Sequence, residues 1–278
     1  MKIADISVYQ GNIDWEKARQ ELEMVIFRAS IGEKKDTKYI QNAKNCKIPF
    51  GVYHYFKAGT KEEAEKEARF FYAAATQDNL KPLFFCLDIE YKTQTSKTTK
   101  IVCETALNTL KKMGAKKVGL YIGQSRYHYI KDIKDTFDFL WIPRYGKNTG
   151  LIDINYKPIY VCDMWQYTSK GRVNGIIGNV DLNILCSEKT LDWYKSETTP
   201  QINKIVFYYL GRRVIRIGNQ GRDVQELQTR LKQLGYDCGK IDGKFGEKTK
   251  KALKAFQKKE KLTVDGICGK KTISKLIG

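Results

Sequence analysis

The chain has 278 residues, 42% hydrophobic and 29% charged, with 50 Lys and Arg against 31 Asp and Glu for a net charge of +19. That length suits one large and one small domain, and the balance is that of a globular protein with a packed core. No apolar run approaches the ~20 residues of a membrane span, and aromatics at 12% with only 5 Pro argue against disorder.

Seven cysteines, odd in number and without C-x-x-C spacing, argue against a disulfide framework or a zinc cluster. Cys86 and Cys162 fall in apolar runs and read as small buried hydrophobes. Met1–Tyr9 lacks the basic start and apolar stretch of a signal peptide, so synthesis in the cytosol is expected.

Runs rich in β-branched and aromatic residues recur at Ile3–Tyr9, Met24–Ala29, Pro49–Phe56, Pro82–Ile89, Lys117–Gly123, Phe139–Tyr145, Ile159–Gln166 and Val180–Ile184. They read as eight strands. Between them, Lys61–Ala75 places Ala64, Ala68, Phe71 and Tyr72 on one helical face. Lys100–Gly114 does the same with Val102, Ala106, Leu107 and Leu110, and Gly114 is a natural stop. This alternation predicts a parallel α/β barrel. Connections after Phe139 are too short or polar for full helices, so an irregular barrel is expected, its last strands lacking outer helices.

A polar, Pro-containing stretch at 196–201 follows the last aromatic pair, Trp193-Tyr194. The expected division is a barrel over 1–195, a linker over 196–216 and a small module over 217–278. In the module Asp223–Glu226 reads as a capping box, leading into Val224, Leu227, Leu231 and Leu234 at helical spacing. The pattern D-G-x-x-G-x-x-T occurs at Asp242–Thr249 and again 23 residues later at Asp265–Thr272. Thr249, Ala252, Leu253 and Phe256 form a second apolar face, so three short helices around a small core are predicted. Residues 194–278 hold 20 Lys and Arg against 8 Asp and Glu. Such a surface draws polyanions, whether nucleic acid, anionic lipid or a wall bearing teichoic acids.

In parallel barrels the chemistry sits where strands end. Here strand ends bear Asp5 and Ser7, Tyr53 and Tyr55 around His54, Asp88-Ile89-Glu90, Trp165-Gln166-Tyr167, and Asp181 with Asn183. Asp88 and Glu90, two apart on a strand, point to one side. Neighbouring carboxylates repel, and burial adds desolvation, so one should hold its proton near neutral pH. Glycoside hydrolysis needs such an acid beside a second carboxylate. The bland alternative is a solvated strand end, disfavoured by the apolar run Leu83–Leu87 before it. Asp5, Asp88, Glu90 and Asp181 could instead hold Mg²⁺ or Ca²⁺. With only two His and no phosphate-binding glycine loop, the expectation is no metal and no cofactor.

Seven motifs occur in order: D-I-S-x-Y-Q-G (Asp5–Gly11), G-V-Y-H-Y-F (Gly51–Phe56), L-D-I-E (Leu87–Glu90), G-L-Y-I-G (Gly119–Gly123), W-I-x-R-Y (Trp141–Tyr145), M-W-Q-Y (Met164–Tyr167) and G-N-V-D-L-N (Gly178–Asn183). Through them, most of residues 1–194 resembles the glycoside hydrolase family 25 lysozymes, N-acetylmuramidases of phage and bacteria. The resemblance implies an irregular (β/α)5β3 TIM-like barrel and cleavage of the β-1,4 bond between N-acetylmuramic acid and N-acetylglucosamine. It implies Glu90 as general acid and Asp88 as the group orienting the substrate's 2-acetamido group, with either Asp88 or that acetamido group as the nucleophile. Asp5 and Asp181 look like the family's remaining cleft acids. Tyr53, Tyr55, Tyr121, Trp165 and Gln166 are the expected sugar contacts, while His54, of opposite parity, reads as packed structure. Arg28 and Pro143 depart from the family's pattern, where Lys and a small residue are expected.

Residues 217–278 resemble a peptidoglycan-binding module through G-x-D-V-x-x-L-Q (Gly221–Gln228), L-G-Y (Leu234–Tyr236), x-D-G-x-F-G (Ile241–Gly246) and F-Q (Phe256-Gln257). The whole chain therefore resembles a phage endolysin or bacterial autolysin. Its expected partner is bacterial peptidoglycan, with no nucleic acid and no stable membrane insertion; its oligomeric state is left open. Released from the cytoplasm, it would act on the wall. The alternatives are a noncatalytic wall- or carbohydrate-binding protein on an inactive barrel, a chitinase-like enzyme, and a helix-turn-helix nucleic-acid binder.

Overall fold

The expected strands join into one closed sheet. The computed structural model describes residues 2–196, 210 and 213–277, and the chain divides into two units, Met1–Gln201 and Ile202–Gly278. In the first, the strands are β1 (Lys2–Ile6), β2 (Leu22–Ile31), β3 (Lys34–Lys35), β4 (Phe50–Tyr55), β5 (Phe85–Asp88), β6 (Val118–Tyr121), β7 (Phe139–Pro143), β8 (Met164–Gly171) and β9 (Val180–Leu185). The helices are α1 (Trp15–Ala18), α2 (Tyr39–Cys46), α3 (Lys61–Ala75), α4 (Thr99–Lys112) and α5 (Leu191–Lys195). The sheet runs β1-β9-β8-β7-β6-β5-β4-β2 and closes through β1–β2, with β3 added on β2.

One expectation needs correction. The barrel is not all parallel, because β9 runs antiparallel to both β8 and β1. Only residues 172–179 separate β8 from β9, and a parallel return needs a dozen residues or more. Strand limits also shift. β1 stops at Ile6 because Ser7 caps a tight turn over Val8–Gln10, its hydroxyl taking the Tyr9 N–H while the Gln10 side chain takes the Ser7 N–H. β8 starts at Met164 rather than Ile159, and Ile159 and Val161 are exposed. Cys162 is buried as expected but lies just before β8, with its Sγ 3.3 Å from that of Cys186.

α3 covers the predicted residues, capped by Thr60 and Glu63 in a reciprocal box. It packs over His54, which is fully buried between Ser30 Oγ (2.7 Å) and Glu67 Oε2 (3.1 Å) and stacks on Phe71. The lower barrel is plugged by aromatics. A Cβ at Gly51 or Gly119 would stand 2.1 Å from the ring of Phe84 or Phe139, so glycine there makes room for each ring. Those rings meet each other and Tyr194 of α5 edge-on. The Lys117 ammonium fastens α5 by donating to the carbonyls of Trp193 (2.6 Å) and Tyr194 (3.2 Å). With that end filled, open space remains at the opposite one.

The second unit holds α6 (Arg222–Gln233), α7 (Glu247–Lys259) and α8 (Lys270–Ile277) around Val224, Leu227, Leu231, Phe245, Leu253, Phe256 and Leu276. Of the expected linker 196–216, residues 197–209, 211 and 212 lie outside the described residues. Ile215 is buried in this core and bridges Cys268. The expected capping box does not form: α6 begins at Arg222 after Gly221, Asp223 pairs with Arg213 (2.5 Å), and Glu226 accepts the Leu210 N–H.

The repeated D-G-x-x-G-x-x-T stretches are built alike. Gly243 and Gly266 both take φ 73°, a left-handed turn that favours glycine. A buried glutamine threads each turn. Gln228 Nε2 donates to Asp242, the Lys244 carbonyl and Thr249 while its Oε1 accepts Gly243 N–H. Gln257 makes the same four bonds to Asp265, Ile267, Thr272 and Gly266.

Candidate active site

The open end of the barrel carries a cleft of about 570 Å³. Strand register assembles its floor. Asp5 of β1 stands opposite Asp181 of β9, and Tyr55, Asp88, Tyr121 and Trp141 occupy one layer across β4, β5, β6 and β7. Glu90 follows two residues beyond Asp88, past the strand end, and still lines the cleft.

Gln166 lies at the centre of a hydrogen-bonded net. Its Nε2 donates to Asp5 Oδ2 (2.9 Å) and Asp181 Oδ2 (3.2 Å), and its Oε1 accepts from Tyr121 (2.9 Å) and Tyr145 (2.7 Å). Asn183 donates to the same Asp5 oxygen at 2.9 Å and accepts from Trp141 Nε1 at 2.8 Å. Such a net fixes where the acids point.

Four carboxyl groups share this space, and their titration follows from burial. Asp5 is pushed up to about 6 by burial, against the opposing pull of hydrogen bonds from Asn183 and Gln166. Asp181 is raised to about 8 by burial and then by the charge of Asp5, with which it shares a hydrogen bond. Asp88 is raised well above the carboxylate range by burial, then by Glu90 and Asp5, and Arg28 works in the other direction. Its Oδ1 is buried without a hydrogen-bond partner. Glu90, at the exposed rim, is raised by burial of part of its side chain and lowered by Arg126.

Arg126 also shapes the loop that carries Glu90. Its Nη1 donates to the carbonyls of Tyr91 (3.0 Å) and Gln94 (2.9 Å). Gln94 in turn holds the Tyr91 N–H and the Phe56 carbonyl. Arg28 is clamped on Asp36 at 2.9 Å and lies 5.2 Å from the ring of Tyr9, an aromatic side chain left 82% exposed.

Asp5, Asp88, Glu90, Asp181, Tyr53, Tyr55, Tyr121 and Gln166 thus all line the cleft. Trp165 does not. It is 1% exposed and points outward, its Nε1 bonded to the Arg144 carbonyl. Alternation explains this: Gln166 faces in, so its neighbours face out. The Gln166 amide is also fully engaged by protein partners, which makes it a positioning group rather than a sugar contact. Trp141, Tyr145, Asn183, Arg126 and Tyr9 were missed from the predicted site. For Trp141 and Tyr145 the parity of β7 was the available signal; for Arg126, in the turn over Gln124–Ile130 that follows β6, there was none in the sequence.

A family model described as glycosyl hydrolases family 25 matches residues 4–176, and one described as a peptidoglycan binding domain matches residues 220–276. The autolytic lysozyme of Clostridium acetobutylicum is 26% identical over 285 residues, covering 98% of this chain and 77% of that protein. The spore cortex-lytic enzyme of Oceanobacillus iheyensis is 38% identical over 94 residues, covering 34% of this chain. The chain spans only about a third of that enzyme's length and a quarter of its Bacillus cereus counterpart's. Among solved structures, the catalytic domain of an endolysin from a Listeria monocytogenes bacteriophage is 30% identical with a TM-score of 0.61, covering 70% of this chain and 98% of that one.

Proposed function

The chain belongs to the glycosyl hydrolases of family 25, and from that premise we propose that it hydrolyses the glycan of bacterial peptidoglycan, at the β-1,4 bond between N-acetylmuramic acid and N-acetylglucosamine. The observation that carries this reading is the Asp88–Glu90 pair: two carboxyls on one cleft, one buried with an orphaned oxygen and one at the rim, both with raised pKa. Glu90, kept protonated, donates its proton to the departing glycosidic oxygen as the C1–O bond breaks, and regains one from the water that finally adds its OH to C1. Asp88 Oδ1 accepts the N–H of the substrate's 2-acetamido group, which satisfies the orphaned oxygen. Positive charge growing at the sugar then favours ionised Asp88, so stabilisation is strongest at the transition state.

Asp5 and Asp181 hold a shared proton beside Asp88 and set the local charge. Tyr53, Tyr55 and Tyr121 offer ring faces and hydroxyls to the sugars. The second unit holds the enzyme on the wall and raises the local concentration of glycan. We assign the setting of a phage endolysin, made in the host cytoplasm and acting on the wall after release; the likeness to the Listeria phage endolysin domain supports it.

The test is digestion of purified peptidoglycan with products read by mass spectrometry. New reducing N-acetylmuramic acid ends are expected. New reducing N-acetylglucosamine ends, or released peptides with intact glycan, would contradict the bond assignment.

A further inference from the structure

One helix of the second unit carries a dense row of basic charge. α7 carries six lysines against one glutamate in 13 residues. Its buried arc is Thr249, Ala252, Leu253, Phe256 and Gln257, and the remainder is the six lysines with Glu247 and Ala255. Lys250, Lys254 and Lys258 follow at four-residue intervals and so form one ridge, ~6 Å apart at the helical rise. Lys248 and Lys251 flank it, and a groove of about 410 Å³ runs between the stems of Lys248, Lys250, Lys251 and Lys254 beside Glu247. The stems of Lys250 and Lys254 pack over Gly266, where a Cβ would meet them at 3.0 and 3.1 Å.

The ridge is scarcely neutralised. Among the described residues, the one ion pair it makes is Lys250 with Glu247, at 4.0 Å and with the glutamate 79% exposed. Asp265 lies within electrostatic reach of Lys254. Like charges at this spacing destabilise a helix, so the row is unfavourable until an external counter-charge arrives.

The residue types select the partner. Every cation of α7 is lysine, a point charge, with none of the arginine forks that read base edges or grip single phosphates in two places. The helix's one aromatic, Phe256, is buried, so its exposed face has no ring on which a base could stack. A flexible chain of phosphodiesters without bases meets these conditions.

We propose that the Lys250–Lys254–Lys258 ridge binds an anionic phosphodiester polymer of the bacterial wall, of the poly(glycerol phosphate) type. This second wall contact is distinct from glycan binding, though the choice of a wall polymer rests on the wall-directed reading above. Each phosphate contact with a single chain contributes about 0.7 to the slope of log affinity against log salt. Losing three contacts lowers that slope by about 2, which weakens binding about 50-fold at ~0.15 M salt if the proteins converge at 1 M.

The experiment titrates the full chain, as wild type and as Lys250→Gln/Lys254→Gln/Lys258→Gln, with labelled poly(glycerol phosphate) and with a thymidine oligonucleotide of equal charge. Circular dichroism checks that the variant is folded. The expected result is a slope reduced by about 2, tighter wild-type binding to the glycerol polymer than to the oligonucleotide, and unchanged cleavage of soluble glycan fragments. An unchanged slope removes the ridge as the site. Equal or tighter oligonucleotide binding overturns the choice of partner. Should the slope fall while no glycan is cut by either protein, the hydrolase reading fails and the ridge stands.

Discussion

Replacing Asp5 by Asn tests whether the acids of the cleft are held at the expense of stability. Asp5 Oδ2 accepts from Gln166 and Asn183, each at 2.9 Å, and an asparagine oxygen can keep both bonds. Its amide then donates toward Asp181, standing in for the proton the two acids share. In the folded chain Asp5 titrates at about 6, against 3.8 for an ordinary aspartate. A raised folded-state pKa means that ionisation opposes folding: the cost is absent below about pH 4, grows as pH rises through 6, and is complete by pH 7. At about 1.4 kcal/mol per pH unit, the gap is worth about 3 kcal/mol. Asp5→Asn should therefore match wild type in stability at pH 4 and exceed it by about 3 kcal/mol at pH 7. For a unit of this size that is a rise in Tm of about 6–12 °C. All four tryptophans lie in the first unit, at positions 15, 141, 165 and 193, so their fluorescence during urea unfolding reports that unit alone. Glycan cleavage should fall in the same variant, since stability and activity trade against each other at such sites. A variant no more stable than wild type at pH 7, or a difference independent of pH, would refute the reasoning.

Arg126 lowers the pKa of Glu90 and pins its loop, so Arg126→Gln should reduce activity and move the alkaline limb of the pH–rate profile to higher pH. Arg126→Lys should return the limb but not the full rate, because lysine restores charge without both carbonyl bonds. In the second unit, Gln228→Ala and Gln257→Ala each strand a buried glycine N–H and three acceptors. Each should lower stability by roughly 3 kcal/mol or more, read as an earlier transition of that unit by calorimetry while tryptophan fluorescence is unchanged. EDTA should leave cleavage unaltered; dependence on an added divalent cation would overturn the roles given to the four acids.

The features legible in the sequence were those written in short periods. Alternation in β4 separated Tyr53 and Tyr55 from His54, and the i, i+2 pair Asp88 and Glu90 put two acids on one cleft. The apolar face of Ala64, Ala68 and Phe71 placed α3 residue for residue. What escaped depended on partners distant in the chain. The direction of β9 is set by a connection too short for a crossover. The outward aim of Trp165 follows only once Gln166 is known to face in. Asp223 and Glu226 match a capping box locally, yet Arg213 and the Leu210 N–H compete for them. Arg126 reaches Glu90's loop from the turn after the neighbouring strand β6, a contact that no local pattern encodes.

The central claim is that Glu90 supplies the proton for glycan cleavage. Wild type and Glu90→Gln, incubated with purified peptidoglycan across pH 4 to 8 and assayed for new reducing ends, test it most directly, since glutamine keeps the shape and removes the proton. Reducing N-acetylmuramic acid ends with wild type only, and equal pelleting of both proteins with the wall, are the expected outcome. Comparable cleavage by Glu90→Gln would contradict the account, and cleavage by neither protein would make the barrel a binding scaffold.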